Sequence, residues 1–331
     1  KDRFFSAMTF EALAATSIIF FWLAVTGEAG FWESALVGAI GLRHWTDQNK
    51  AFYERTMAYR QLALIETGVA TVGHLSALFL ILTGAGWSVL FIREIIVSVT
   101  SLLSLWWIGG LTLRRLRFLS FADWRTLIRD ARGVWLDGIL EGSFQRLTIL
   151  LAGFLSGEAA AGLFFQAQRL ATVPHQLLAP VVSRIAANWF GRMEDAPVRI
   201  AGRTRLLLVL FPPLLVAGLL TVLFADPVVP WLFGDAWARV GDIVAAMAGV
   251  VIFSSVFETL KAYCLSTRQT RKILAGRVIQ YTGLLALVAA GYGGWLSADI
   301  SLALGLSAAY FLAFTFVYVA LRLEEKRRVP S

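Results

Sequence analysis

The chain has 331 residues, of which 58% are hydrophobic and 16% charged, with a mean hydropathy of +0.69; an ordinary soluble domain, about 45–50% apolar and about 25% charged, is excluded. A single cysteine, Cys264, excludes an internal disulfide and a thiolate metal site. His44, His74 and His175 lie too far apart to form a ligand pair on one helix, so no metal and no cofactor is expected. The net charge of +8 fits the basic loops of a membrane protein better than a nucleic-acid surface.

Ten apolar segments follow in chain order: 7–27, 31–46, 64–84, 87–109, 133–155, 159–187, 204–225, 242–263, 275–293 and 299–321. Most are long enough to cross a bilayer as a helix; the second is short and its end is amphipathic. Continuous apolar runs exclude an outer-membrane barrel, whose strands alternate. The expected fold is an all-α polytopic bundle of about ten transmembrane helices in two lobes. Residues 1–108 hold about four helices and 133–322 hold six. Between them 109–132 reads as a basic amphipathic linker on the cytoplasmic surface, and 323–331 is a cytoplasmic tail. The hairpin LILTGAGWSVLF (80–91) resembles ALVAAGYGGWLSADI (286–300), a faint repeat of the kind transporters carry. Pro174 and Pro180 interrupt the sixth segment and Pro212-Pro213 the seventh; each removes a backbone donor, giving either a static kink or a hinge.

Twenty-five of the 30 Lys and Arg fall in alternate connections. The other connections hold Arg239 alone. The positive-inside rule places the basic set, and both ends of this chain, in the cytoplasm. The loop 226–242 is then outside. The even helix count agrees. The chain opens Lys1-Asp2-Arg3 with no signal-peptide pattern, as expected of a chain that begins inside a longer reading frame.

Several polar residues lie within the apolar segments. Asp137, Glu141 and Gln145 are spaced i, i+4, i+8 and share one stripe. Gln166, Arg169 and Gln176 share a face of the next segment. Arg146 and Arg169 each fall near the middle of a segment, where an arginine costs at least about 2.5–3.5 kcal/mol on insertion scales. They face either a common wet cavity or a buried salt bridge, with Glu141 as one partner. Arg93 and Glu94, being adjacent, must find different partners. His74, beside Thr67, Thr71 and Glu66, is a packing residue or a proton carrier. Glu258 and Lys261 read as a local pair near the interface. A guanidinium fork suits phosphate or carboxylate, so an anionic substrate is expected at Arg146, Arg169, Gln145, Gln166 and Arg93. Glu66, Asp137, Glu141 and His74 are candidates for ion coupling.

The run LTILLAGFLSGEAAAGLFFQAQRLATVPHQLLAPVVSRIAANW resembles the seventh and eighth helices of Wzx-type polysaccharide exporters, members of the multidrug/oligosaccharidyl-lipid/polysaccharide superfamily. The matching residues are Gly153, Gly157, Gly162-Leu163-Phe164, Ala167-Gln168-Arg169-Leu170 and Pro174. FADPVVPWLFGDAWARV (224–240) is similar to the family's outer loop through Phe233, Gly234, Asp235 and Trp237. Two departures stand out. Thr148 occupies a position that is often Asp in the family, and ten helices replace the usual twelve or fourteen, as though the first two were absent. The resemblance implies a two-lobed transporter, not an enzyme, flipping undecaprenyl-pyrophosphate-linked oligosaccharide across a bacterial inner membrane by alternating access. Its implied partners are the lipid-linked oligosaccharide, membrane lipids, H+ or Na+ as candidate coupling ions, and other polysaccharide-assembly proteins. A MATE-like cation or drug antiporter is the alternative, and a membrane sugar polymerase or ligase a more distant one.

Overall fold

The structure is a computed structural model that describes residues 2–28, 30–54, 59–111, 117–291 and 297–328. The described residues are mostly helical, with no strand among them. In chain order the helices are α1 (Asp2–Thr26), α2 (Phe31–Glu54), α3 (Tyr59–Leu82), α4 (Ser88–Trp107), α5 (Phe121–Ser156), α6 (Glu158–Ala171), α7 (Val173–Arg192), α8 (Ala196–Phe233), α9 (Ala238–Ala246), α10 (Ala248–Ser266), α11 (Thr270–Gly291) and α12 (Ala298–Arg328). Seven of them, α1, α3, α4, α8, α10, α11 and α12, are long and apolar enough to cross a membrane. The chain is a multi-pass membrane protein. Its exposed side chains include long runs of Leu, Val, Ile and Phe, as expected where the surrounding solvent is lipid.

Four differences from the sequence expectation have local causes. The sixth apolar segment is two helices, α6 and α7, parted at Thr172. Pro174 has no N–H for the carbonyl of Leu170, and Thr172 turns its hydroxyl back onto the Gln168 carbonyl at 2.8 Å. The eighth segment is also two helices, parted at Met247, with no proline but with Gly249 two residues beyond, where α10 lies close against Ser307 of α12. The outer loop expected at 226–242 is mostly helix: α8 runs on through Pro227 and Pro230 to Phe233, and only Gly234 to Trp237 separates it from α9. Gly234 makes that corner at φ +91°, a conformation glycine adopts without penalty. Finally, residues from Phe121 onward belong to α5 and are not a separate surface segment.

Contacts divide the chain into residues 1–130 and 131–331. In the first unit α4 packs against both α2 and α3, and α1 against α2. The α1–α2 contact is close where Gly41 meets Thr16, and Gly73 lets α3 approach Val97 of α4. Of the proposed repeat, the first hairpin turns through Gly84 and Gly86 at φ +79° and +61°; 292–296 in the second lie outside the described residues.

The second unit has α10 at its centre, packed by α7, α8 and α12, with α11 on α12. Its apolar core is in two parts. One gathers Phe144, Phe164, Ile243, Met247, Leu284 and Leu306. The other gathers Phe190, Phe257, Leu260, Ile273, Val317 and Leu321. Along α11 the sequence passes from Ile273 in one to Leu284 in the other, and Arg277 and Gln280, both buried, come between.

Candidate functional site

The polar layer between the two apolar clusters is an ion-pair network. Asp137 and Glu141 project from α5 one turn apart. The Arg277 Nε donates to Asp137 Oδ1 at 2.8 Å, and its Nη2 lies 3.0 Å from Glu141 Oε1. Lys261 of α10 lies 2.6 Å from Glu141, 3.3 Å from Asp137 and 3.6 Å from Glu258. Arg277 also donates to Gln280 at 3.0 Å and stacks over Phe257, 4.9 Å from its ring centre. Asp137 and Arg277 are 2% and 1% exposed. Asp137 therefore does not reach water; its guanidinium partner takes that role. Charges buried this deeply need partners, because desolvating each ion costs several kcal/mol.

His175, in the first turn of α7, stands beside this network. Its Nδ1 is buried and has no hydrogen-bond partner among the described residues. Ligand atoms of Glu141, His175 and Glu258 come within 4.8 Å of one another. Lys261 Nζ, bonded to Glu141, already supplies a cation to these carboxylates. Three carboxylates, two fixed cations and one imidazole thus meet in one place.

Arg146 and Arg169 are placed differently. Both are exposed, as is Gln145, while Gln166 is half-buried. Neither arginine forms an ion pair among the described residues. Arg146 stands ten residues before the end of α5 and Arg169 eleven residues after the start of α6. At about 1.5 Å per residue both lie roughly 15–17 Å from the Gly157 turn that joins the helices. Between them Thr148 donates to the Gln145 carbonyl at 2.7 Å and sits 3.3 Å from Gln168 Oε1, a neutral contact at the position where the exporters often carry Asp.

In the first unit Arg93 is bonded to its neighbour Glu94, whose other oxygen accepts from Arg43 at 3.0 Å. Adjacent residues on α4 thus do pair, through a long guanidinium bending back. Arg43, counted with the basic connections in the sequence, is the thirteenth residue of α2. Glu66 is half-buried and His74 exposed on α3. Pro174 occupies the first turn of α7. The side chain of Pro180 lies outside the described residues. Pro212 and Pro213 are exposed within α8, which remains one helix through them.

Residues 4–242 match the family described as polysaccharide biosynthesis protein. The chain belongs to that family. A search of curated proteins finds no match. Among solved structures the chain is similar to an outward-facing multidrug-resistance MATE-family transporter of the MOP superfamily, with TM-score 0.65 and 14% identity over 98% of this chain and 79% of that one. It is also similar to the crystal structure of a MATE mutant, with TM-score 0.61 and 14% identity over 96% and 76% of the two chains. At such identities the likeness is one of fold, an all-α polytopic bundle as the sequence resemblance implies.

Arg277 escaped the sequence reading. It follows Arg268, Arg271 and Lys272 and looks like the last of a basic loop, yet α11 begins at Thr270 and makes it the eighth helical residue. Two carboxylates one turn apart on α5 were a signal that cations must face them. Arg277 and Lys261 lie within apolar segments and could have been sought as those cations.

Proposed function

We propose that this family member is a transporter that flips an undecaprenyl-pyrophosphate-linked oligosaccharide across a bacterial inner membrane by alternating access, with Arg146 and Arg169 holding the pyrophosphate. One observation carries the reading. The deep charges Asp137, Glu141, Glu258, Lys261 and Arg277 are consumed in one mutual network, whereas Arg146 and Arg169, at similar distances from the turn joining their helices, are exposed and unpaired among the described residues. A guanidinium left without an acid at that depth is supplied with an anion from outside the chain. Charge-assisted bonds to phosphate are the strong kind. Gln145 and Gln166 add donors; in the first unit Arg93, which Glu94 already holds, would serve a second anionic group only by leaving that carboxylate. The chemistry asked of the protein is binding and movement, with no bond made or broken. The bending points are Pro174, Pro180, Pro212 and Pro213.

The network is assigned to ion coupling. With all groups ionised its three carboxylates exceed its two cations by one charge, so one H+ or Na+ would neutralise it; Glu66 and His74 are the candidates in the first unit. The same carboxylates favour a second reading, an antiporter of cations or drugs.

The test is an ordered series at position 169. Translocation should fall from Arg to Lys to Ala, because Lys keeps the charge and loses the bidentate fork, with protein level unchanged in all three. Normal translocation of lipid-linked sugar by a well-folded Arg146→Ala/Arg169→Ala double variant would end the substrate-binding reading.

A further inference from the structure

The buried network shares its cations unevenly. Glu141 Oε2 accepts from Lys261 at 2.6 Å, and Asp137 Oδ1 accepts from Arg277 at 2.8 Å. Glu258 has only the Lys261 ammonium, at 3.6 Å, and accepts no hydrogen bond among the described residues. It is 9% exposed, so little water reaches it in place of a donor. The one negative charge by which the carboxylates exceed the cations therefore rests on Glu258. A second group without a partner stands opposite. His175 Nδ1 is buried and unbonded among the described residues, and a ring nitrogen of His175 lies within 4.8 Å of a Glu258 oxygen. An ionised carboxylate can only accept, and so can Nδ1 when the imidazole carries its hydrogen on Nε2. Two buried acceptors that face each other lack a hydrogen between them, and leaving such groups unsatisfied is costly.

We infer that the coupling ion is a proton and that its seat is the Glu258 carboxyl, which donates to His175 Nδ1 once protonated. The inference rests on the reading of this network as the coupling site. A hard cation such as Na+ takes oxygen ligands; here it would meet an imidazole nitrogen and stand beside the Lys261 ammonium. A proton needs only the two acceptors. It leaves two carboxylates against two fixed cations, so the layer becomes neutral. A neutral acid on a neutral imidazole avoids the desolvation that a carboxylate and an imidazolium would suffer at this depth. The other charged or titratable groups that bear on the pair are Asp137 and Glu141 of α5, Lys261 of α10, Arg277 of α11 and Tyr310 of α12.

His175 is placed to pass the event on. It lies three residues beyond Thr172, where α6 and α7 part, and Arg169 lies three residues before it. Gln176, next to His175, donates to Thr172 Oγ1 at 3.1 Å. Closing the gap to hydrogen-bond distance draws the first turn of α7 towards α10, and the break hands that shift to the helix that carries Arg169.

The experiment is infrared difference spectroscopy of the full chain in lipid vesicles, taken from mildly alkaline to mildly acid pH in potassium salt. A carboxylic-acid C=O band should rise on acidification and be lost in Glu258→Gln. In His175→Phe, which removes the acceptor, the band should move to higher wavenumber and titrate about one pH unit lower, the worth of roughly one hydrogen bond. Sodium in place of potassium should change nothing. At the same acid pH, hydrogen exchange over 173–177 should be slower in the wild type than in Glu258→Gln. The band should persist in Arg146→Ala/Arg169→Ala, so loss of translocation there leaves the proton site standing, and loss of the proton site leaves the pyrophosphate reading standing. A band retained in folded Glu258→Gln, a band suppressed by sodium at fixed pH, or a band unmoved in His175→Phe overturns the inference. Should Glu258→Gln fail to fold, Glu258→Asp replaces it: its shorter carboxyl must shift the midpoint, and an unchanged midpoint is equally fatal.

Discussion

Asp137 and Arg277 form the most deeply buried ion pair described in the molecule, 140 residues apart in sequence. Removing one partner of a buried pair leaves an uncompensated charge at a cost of about 3–5 kcal/mol, whereas replacing both by apolar groups is often neutral. Arg277→Met is therefore expected to lower the folded fraction sharply. Asp137→Leu/Arg277→Met should recover most of it, as measured by thermal unfolding monitored by size-exclusion chromatography. If the double variant is no better than the single one, the pair is not what holds these helices. Half of this pair was legible in the sequence: an acidic stripe on a membrane helix demands cations. The other half was not, because helix starts blur into basic loops, and no local pattern links α5 to α11.

Helices were more legible than their ends. Apolar runs locate the segments, but the break at Met247 interrupts one of them without a proline, and a glycine such as Gly249 is too common in membrane helices to mark it. The break at Thr172 had one in Pro174, which the sequence shows as a kink and the structure as two helices. The start of α5, hidden in what the sequence shows as a basic linker, is fixed by a local device. Ser120 and Asp123 form a capping box: the Asp123 N–H donates to Ser120 Oγ at 3.2 Å, and the Ser120 hydroxyl and N–H donate to Asp123 Oδ2 at 2.8 and 3.3 Å. Ser120→Ala should cost this end of the helix about 1 kcal/mol, seen as a roughly fivefold loss of hydrogen-exchange protection over 121–125. The Ser120 hydroxyl, then its N–H and Arg3, hold the Asp123 carboxyl below its ordinary 3.8. A lowered value means that the cap contributes fully above the ordinary one and is lost as pH falls through the lowered one. Protection should therefore persist below pH 3.8 in the wild type and be weak at every pH in Asp123→Asn. In the second unit, a side chain at Gly241 would meet the backbone of Asp226 and Ala225 at 3.0–3.1 Å. Backbone cannot yield as a flexible side chain can. Gly241→Leu should destabilise the α8–α9 contact by about 1–3 kcal/mol, and an unchanged melting temperature would show that α9 moves freely on α8.

For the whole molecule, the distribution of basic residues predicts which surface faces which compartment. Ser156, at the end of α5, and Ala196, at the start of α8, are both exposed. With Cys264→Ser as background, a cysteine at Ser156→Cys should react with an impermeant maleimide added outside intact cells. One at Ala196→Cys should react only after permeabilisation. The opposite pattern inverts the molecule.

The length of α8 has a consequence for the bilayer itself. From Leu206 to Phe233 its only charged side chain is Asp226. At about 1.5 Å per residue that stretch measures roughly 42 Å, against a hydrocarbon thickness of about 30 Å. A straight, upright rod of this kind would leave apolar surface in water. The mismatch can be taken up by tilt, by bending at Pro212-Pro213, or by thickening the surrounding lipid, and each makes the helix sensitive to acyl-chain length. Membrane thickness then becomes a variable that selects among tilts of α8, and a protein reconstituted in short-chain lipid should hold this helix more steeply inclined than one in long-chain lipid.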